Sequence, residues 1–295
     1  MSDSNDNDVY KYTPSIAGAA LTAAVFGILT LLHGYQVFRT RTWYFLAFWA
    51  GGIFDTVGYA LRAISASQKP DYQEGIYAIS QVGILVAPSL LAASMYMELG
   101  RIIRLTDGQC YAIMRVTWLT KVFVLGDVMA FLVQVMGAGM LSSNSSSSSK
   151  TGKTVIIIGL IVQVVFFALF VVTATLFHFR ISHNPTEKVQ KHALPWQKHL
   201  INIYACSVLV LIRCVFRLIE YSLGEDGYLM TTEWVIYVFD ALLMLLVMVA
   251  FAVVHPSEVK ALLNGTGLAM KRVVLTKETS LRMPMEESGH GYHLV

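Results

Sequence analysis

The chain has 295 residues and a formal net charge of +3; 55% of its residues are hydrophobic and only 14% are charged. Soluble domains carry about 25% charged residues, so this composition excludes an ordinary soluble protein. The three cysteines, Cys110, Cys206 and Cys214, have no CxxC spacing, which argues against a zinc site and against a disulfide framework.

Seven apolar runs follow one another along the chain, each of about 20 residues or more. A helix rises about 1.5 Å per residue, so each run can cross roughly 30 Å of hydrocarbon. Lipid offers no partner to backbone amides, so the runs must be helical. The sequence predicts an all-α membrane protein, a bundle of seven transmembrane helices. The predicted spans are 14–37, 43–62, 78–100, 117–141, 154–178, 200–222 and 234–254.

Lysine and arginine are distributed unevenly between the two sets of loops. One side, which includes the C-terminal tail, carries fourteen of them and the other carries four. Cytoplasmic loops are enriched in these residues, so the N-terminus is predicted outside and the C-terminus in the cytosol. The same bias explains the basic loops, and no nucleic-acid partner is predicted. The predicted organisation is an extracellular segment 1–13, a membrane domain 14–254 and a largely disordered cytosolic tail 255–295.

Two N-glycosylation sequons test this orientation. Asn144-Ser145-Ser146 falls in a loop assigned to the outside, so Asn144 is predicted as a glycosylation acceptor. Asn264-Gly265-Thr266 falls in the tail, where the cytosolic assignment predicts that it stays unmodified.

A charged stripe interrupts the sixth apolar run. Arg213, Arg217 and Glu220 lie at i, i+4 and i+7, which places them on one face of a helix. A charge near the bilayer centre costs roughly 2.5–3.5 kcal/mol on insertion scales. The stripe must therefore face the protein interior or a water-filled cavity.

Other predicted spans carry polar residues that can meet this stripe. Asp55, Tyr59 and Arg62 repeat its spacing, and Asp127, Arg213, Arg217 and Asp240 are expected with Asp55 at the midplane or in the outer half. The sequence predicts one buried polar cluster, although an ion-pair network that only fixes helix packing is the alternative. The predicted substrate-binding residues are Asp55, Tyr59, Arg62, Gln81, Asp127, Gln134, Arg213, Arg217, Glu220 and Asp240.

Catalytic and cofactor motifs are missing from the sequence. Gly152-Lys153-Thr154 ends like a P-loop, but Ser147 stands where its first glycine belongs. There is no catalytic triad, nucleophile elbow or kinase signature. The seventh span has no lysine for a retinal Schiff base. The sequence therefore predicts no enzyme activity, no cofactor and no metal site.

The polar residues also occur in an order that resembles a known family. Asp55-x-x-Gly58-Tyr59-x-x-Arg62 and Arg213-x2-Phe216-Arg217-x2-Glu220 are the clearest pieces of a pattern that runs from Tyr12 to Pro256. The chain resembles the fungal RTA-like proteins, seven-span membrane proteins classed as lipid-translocating exporters. Asp55 departs from the family pattern, which usually has glutamate there. The resemblance implies the plasma membrane or the vacuole, and sphingoid-base release, sterol-analogue or drug resistance, or porphyrin movement.

Two functions are compatible with these observations. The first is a transporter of lipid-like amphiphiles, whose partners are membrane lipids and an amphiphilic small molecule. It would be driven by a gradient, with Asp127 and Asp240 as the first candidate proton carriers. The second is a seven-helix sensor of lipid or stress signals, which would act through the basic loops and the tail. The plasma membrane is the predicted location, with the vacuole or another endomembrane as the alternative.

Overall fold

Helices make up nearly all of the structure, a computed structural model that describes residues 15–68, 73–141, 146–191, 194–223, 233–270 and 273–275. The first seven helices are α1 Ile16–Thr40, α2 Leu46–Ser67, α3 Glu74–Leu105, α4 Val116–Leu141, α5 Ser146–His183, α6 Glu187–Lys191 and α7 Trp196–Leu223. Helix α8 covers 233–253 and consists of Glu233–Ile236, a π-helical segment Tyr237–Leu242, and Leu243–Val253. It is followed by α9 Ser257–Leu263 and by two antiparallel strands, β1 Thr266–Leu268 and β2 Val273–Leu275.

Each predicted apolar run is occupied by a helix, so the all-α prediction is confirmed for the bundle; the two three-residue strands are an addition. Within the described residues, six stretches are long and apolar enough to cross a membrane: α1, α7, most of α3, α4 and α5, and 233–263. The protein is therefore an integral membrane protein. Helix α2 is long enough, with 22 residues, but Asp55 and Arg62 lower its mean hydropathy.

Successive long helices run in opposite directions, so the bundle has two ends. At one end, the backbone N–H of Ser15 donates to both carboxylate oxygens of Glu233, at 2.8 and 2.9 Å. At the other end, Lys260 of α9 donates to the carbonyl oxygens of Thr40 and Arg41, at 3.2 and 2.6 Å. These two ends are called the Ser15 end and the α9 end below.

Close helix packing depends on glycines at two crossings. A Cβ atom on Gly58 of α2 would lie 2.8 Å from Ile84 of α3, and Ser80 donates to the Gly58 carbonyl at 2.8 Å. A Cβ atom on Gly137 of α4 would lie 2.8 Å from the Gly152 carbonyl oxygen of α5. The first of these crossings positions α2 and α3 beside the buried charges described below.

The tail after α8 is partly described. Helix α9 folds back against α3, and β1 and β2 follow it. Residues 276–295 and Asn144 lie outside the described residues. The predicted domain boundaries and the disorder of the tail therefore stay predictions.

Candidate substrate site

Two arginines of α7 enclose one carboxylate of α8. Arg213 Nε pairs with Oδ1 of Asp240, and Arg217 Nη2 pairs with Oδ2 of the same side chain. All three side chains are buried. The i, i+4 spacing on α7 brings both guanidinium groups to the same face, as the sequence predicts. Each charge has its opposite in direct contact, which a buried charge requires. This group and its direct contacts are called the Arg213–Asp240 cluster.

Asp240 lies within the π-helical segment of α8, Tyr237–Leu242. A π turn bonds residue i to i+5 and holds one residue more than an α turn, so the residues on either side are rotated relative to a regular helix. Such segments occur frequently at functional sites. The irregular backbone thus coincides with the one acidic residue of α8 that faces both arginines.

Pro88 supplies a further contact of the cluster. Proline has no N–H, so in a helix it leaves the carbonyl of residue i−4 without its usual donor. That residue is Ile84, and Arg213 Nη2 donates to its carbonyl oxygen at 3.1 Å. Pro88 and the buried Arg213 thus form one feature, which joins α3 to α7. The i−4 relation to Pro88 is a sequence signal that could have predicted this contact.

Two more carboxylates belong to the cluster. Glu220 accepts from Arg217 Nη1 at 3.0 Å, so Asp240 and Glu220 together balance the two arginines. Asp55 of α2 is 1% exposed and lies within electrostatic range of Asp240 and Arg213. Its Oδ2 atom has no hydrogen-bond partner among the described residues. Asp55 is therefore an additional buried carboxylate with unused acceptor capacity.

Two neighbours of Asp55 on α2 complete this side of the site. The hydroxyl of Tyr59 donates to Asp240 Oδ2 at 3.5 Å. Arg62 is buried beside Tyr59 and Tyr237, towards the Ser15 end. The structure thus brings together seven of the ten predicted residues: Asp55, Tyr59, Arg62, Arg213, Arg217, Glu220 and Asp240.

The expectation of a single cluster is wrong for Asp127. This carboxylate accepts from the Tyr96 hydroxyl at 2.7 Å and has no ion pair within the described part of the chain. Tyr96 lies twelve residues beyond Ile84 on α3, about 18 Å along the helix axis. Tyr96 satisfies Oδ2, while Oδ1 of Asp127 has no hydrogen-bond partner among the described residues. Cys214 lies within electrostatic range of both Asp127 and Asp240.

Gln134 and Gln81 also lie apart from the arginines. Gln134 donates to Gln163 of α5 at 3.0 Å, and Gln163 is 3.4 Å from Ser89 of α3, which gives a separate polar chain across three helices. Gln81 is half-buried, and none of the hydrogen bonds among the described residues involves its side chain. For these two residues, as for Asp127, the position on a helix face did not determine which neighbour the side chain meets.

A second buried polar network lies at the α9 end, where the sequence predicted no site. Glu98 of α3 accepts from the Tyr44 hydroxyl at 2.9 Å and lies 3.6 Å from Nδ1 of His199. Nε2 of the same imidazole lies 3.3 Å from Glu258 of α9, and Glu258 also pairs with Lys198 at 3.0 Å. Since Glu258 follows the last span, its return to the bundle was not visible in the apolar pattern.

Known proteins are similar to this chain over most of its length. Residues 48–261 match the family described as RTA1 like protein. The chain is 32% identical over 274 residues to Protein RTA1 of Saccharomyces cerevisiae, an alignment that covers 84% of this chain and 85% of that protein. It is 32% identical over 282 residues to Protoporphyrin uptake protein 1 of the same species, covering 83% and 91%.

A third relative carries a different name. The chain is 26% identical over 287 residues to Sphingoid long-chain base transporter RSB1 of Saccharomyces cerevisiae, covering 85% of this chain and 74% of that protein. No solved structure matches. The resemblance drawn from the sequence is confirmed: the chain belongs to the RTA1-like family.

Proposed function

We propose that this protein carries lipid-like amphiphiles across a membrane, with the Arg213–Asp240 cluster as the site for the polar head group. The observation that carries the proposal is the environment of Asp55. Its carboxylate is buried inside the helix bundle near the two paired arginines, and one of its oxygens has no hydrogen-bond partner among the described residues. Ionisable residues inside a membrane bundle mark substrate or ion pathways by default. The relatives named for protoporphyrin uptake and for sphingoid-base transport support an amphiphilic substrate.

The cluster offers complementary partners to the head groups of such molecules. An ammonium group would pair with Asp55, which lacks a partner for Oδ2. A hydroxyl or carboxylate would meet the guanidinium groups of Arg213 and Arg217 or the hydroxyl of Tyr59, while the apolar body lies among the helices. Charged hydrogen bonds of this kind contribute about 1.5–3 kcal/mol each, so a bound head group offsets the cost of burying Asp55.

The ten predicted residues do not contribute equally to this proposal. Arg62 and Glu220 lie at the edge of the head-group site. Gln81, Asp127 and Gln134 stay predicted substrate contacts without a link to the cluster, and the roles of Asp127 and Asp240 as proton carriers stay predictions. No nucleotide-binding motif is present in the sequence, so the proposed driving force is a gradient.

The proposal includes a membrane topology of seven spans, with α2 as the second, an N-terminus outside and a C-terminus in the cytosol. Two observations support it: α2 packs against both α1 and α3, and the basic residues are concentrated on one side. The plasma membrane is the proposed location, with the vacuolar membrane as the alternative.

The two sequons provide a matched test of this topology. Asn144→Gln should abolish the mass shift that a glycosidase produces, whereas Asn264→Gln should leave it unchanged, because only residues exposed to the lumen are glycosylated. A shift that depends on Asn264 would invert the proposed orientation.

The transport proposal is tested with purified protein in liposomes. Labelled sphingoid base, sterol and protoporphyrin are supplied, and release into acceptor vesicles is measured. Asp55→Asn removes the charge with little change in shape, and we expect about a tenfold loss of rate for an amine-bearing substrate, since a lost charged contact is worth about 1.4 kcal/mol or more.

The matched control is Asp107→Asn. This variant makes the same change from carboxylate to amide, but in an exposed turn, where the Asp107 carboxylate pairs with Lys188 at 3.2 Å. Its transport rate should equal that of the unmodified protein. Equal rates in Asp55→Asn and Asp107→Asn would contradict the head-group site. Absence of any transport by the purified protein would instead favour the sensor, which needs cytosolic partners.

A further inference from the structure

The network at the α9 end places one imidazole between two carboxylates that come from different elements. His199 of α7 is 2% exposed and Glu98 of α3 is 1% exposed, while Glu258 of α9 is 15% exposed. Nδ1 faces Glu98 at 3.6 Å and Nε2 faces Glu258 at 3.3 Å. The imidazole contacts both acidic side chains.

A neutral imidazole cannot donate a hydrogen bond to both carboxylates, so this arrangement requires one additional proton. A neutral imidazole has one N–H and one lone pair, so with both carboxylates ionised one of them would face the lone pair. An imidazolium has two N–H groups and can donate to both sides. In the alternative state the imidazole is neutral and the additional proton is on one of the two carboxyl groups that face it. Either way, Glu98, His199 and Glu258 together hold one exchangeable proton.

The surrounding charges do not replace that proton. The titratable and charged groups around the imidazole are Tyr44, Glu98, Arg101, Lys198, His255 and Glu258. Tyr44 donates to Oε2 of Glu98, and Lys198 donates to Oε2 of Glu258, the oxygen that also faces the imidazole. Arg101 lies 3.5 Å above the Tyr44 ring. Glu98 Oε1 has no hydrogen-bond donor among the described groups. The nitrogen that faces it is Nδ1 of His199, at 3.6 Å.

A cavity gives water access to one side of these residues. It has a volume of about 240 Å³ and is lined by Lys198, His255 and Glu258 among others. Glu98 lies on the other side of the imidazole and does not line this cavity. A proton can thus enter from the aqueous side through Glu258, while Glu98 stays inside the bundle.

We propose that Glu98, His199 and Glu258 form a proton-binding site that couples transport to a proton gradient. The inference rests on the proposed transport function and adds the coupling ion. With the proton bound, the imidazolium joins α9 to α3 and α7 and closes the α9 end. When the proton leaves to water, one carboxylate loses its hydrogen bond, α9 detaches, and the α9 end opens. As α9 detaches, the Lys260 contacts to Thr40 and Arg41 and the Lys198–Glu258 pair also break, and the covalent change is limited to the transfer of the proton to water.

The first test separates this inference from the transport function itself. Liposomes with the purified protein receive labelled sphingoid base with and without an imposed pH gradient. We expect the gradient to change the rate of the unmodified protein by about fivefold or more, the usual lower range for energetic coupling between sites. His199→Gln should transport at one rate with and without the gradient, and the exposed His183→Gln should behave like the unmodified protein.

The possible results are distinguishable. No transport by the unmodified protein would overturn the proposed function. Transport that responds to the gradient equally in His199→Gln and in the unmodified protein would overturn the proton site alone. Glu258→Gln is the second variant, because Glu258 lies nearer the surface than His199. It should also lose the response to the pH gradient, and a full response in this variant would overturn the proton site.

The second test needs no transport. Val259 of α9 is fully buried, and Val259→Cys in a Cys110→Ser background leaves two buried native thiols. Because the bound proton holds α9 against the bundle, labelling of residue 259 by a maleimide should be slow at low pH and several times faster at high pH. Adding His199→Gln should make labelling fast and independent of pH after correction for thiol ionisation. A flat profile in the parent, or the same rise in both proteins, would overturn the proposal.

Discussion

The two buried polar networks of this protein differ in the kind of charge they contain. The Arg213–Asp240 cluster holds two guanidinium groups, which do not lose their protons in proteins. The network at the α9 end holds a histidine between two carboxylates, groups that can each gain or lose a proton. Fixed charges suit the recognition of a head group, whereas exchangeable ones suit a response to protons. A membrane bundle can thus separate binding from energy coupling by residue type.

The same two helices carry both networks. Ile84 and Glu98 are fourteen residues apart on α3, and His199 and Arg213 are fourteen residues apart on α7, so each pair is separated by about 21 Å. Arg213 joins α7 to α3 at one level, and His199 does so at the other. Movement of α3 relative to α7 would therefore change both networks at once.

The largest effect is expected from the Arg213–Asp240 cluster. Asp240→Asn leaves Arg213 and Arg217 buried without their shared carboxylate, and breaking a buried ion pair costs about 3–5 kcal/mol. We expect a large fall in the midpoint of thermal unfolding in detergent, together with loss of transport. Asp107→Asn, an exposed change of the same kind, should leave the midpoint in place. An unchanged midpoint for Asp240→Asn would mean that these charges are not mutually stabilising.

An intermediate effect is expected at Pro88. A substitution there weakens the Arg213 contact that joins α3 to α7 and leaves the network at the α9 end unchanged. Pro88→Ala restores an N–H that competes with Arg213 for the Ile84 carbonyl. The regained helix hydrogen bond should raise stability by about 1 kcal/mol. Transport should nevertheless fall severalfold, because α3 becomes a regular helix. Thermal unfolding and the liposome assay measure the two effects, and a parallel change in both would contradict the assignment.

The smallest effect is expected at Tyr44. Tyr44→Phe keeps the ring below Arg101 but removes the hydroxyl that donates to Glu98 and lies 3.1 Å from the Pro256 carbonyl. The loss of one such hydrogen bond should lower stability by about 1 kcal/mol. Labelling of Val259→Cys should increase modestly at every pH, since α9 is held less firmly. Identical labelling in the two proteins would show that the hydroxyl does not restrain α9.

The sequence was a good guide to the bundle and to the charged residues of α7 and α8. Regular spacing places Arg213 and Arg217 on one helix face, and the cost of unpaired charge in lipid requires an acidic partner such as Asp240. Asp127 shows the limit of this reasoning: spacing gives the face of a helix, but the rotation and tilt of that helix decide which neighbour it meets. Tyr96, a neutral donor, could not be distinguished from an arginine by depth alone.

The α9 end was less predictable because its contacts depend on how the chain turns after the last span. Glu258 reaches His199 only because α9 folds back against α3. His199 lies near the start of α7, just outside the predicted span 200–222, where a polar side chain does not require a buried partner. Neither residue belongs to a spacing pattern, so three-dimensional placement was needed to bring them together.

The π-helical segment gives the protein a site whose geometry can be altered by chain length alone. A chain that lacks Val238 or Phe239 would have the residue count of a continuous α-helix across 237–242. The two flanks of α8 would keep their present positions, with Glu233 against Ser15 and Leu243–Val253 in the bundle. Only the wide turn between them would be lost, and the direction of Asp240 relative to the flanks would change with it. A single deletion would thus turn Asp240 away from both arginines while every charge stays in the sequence.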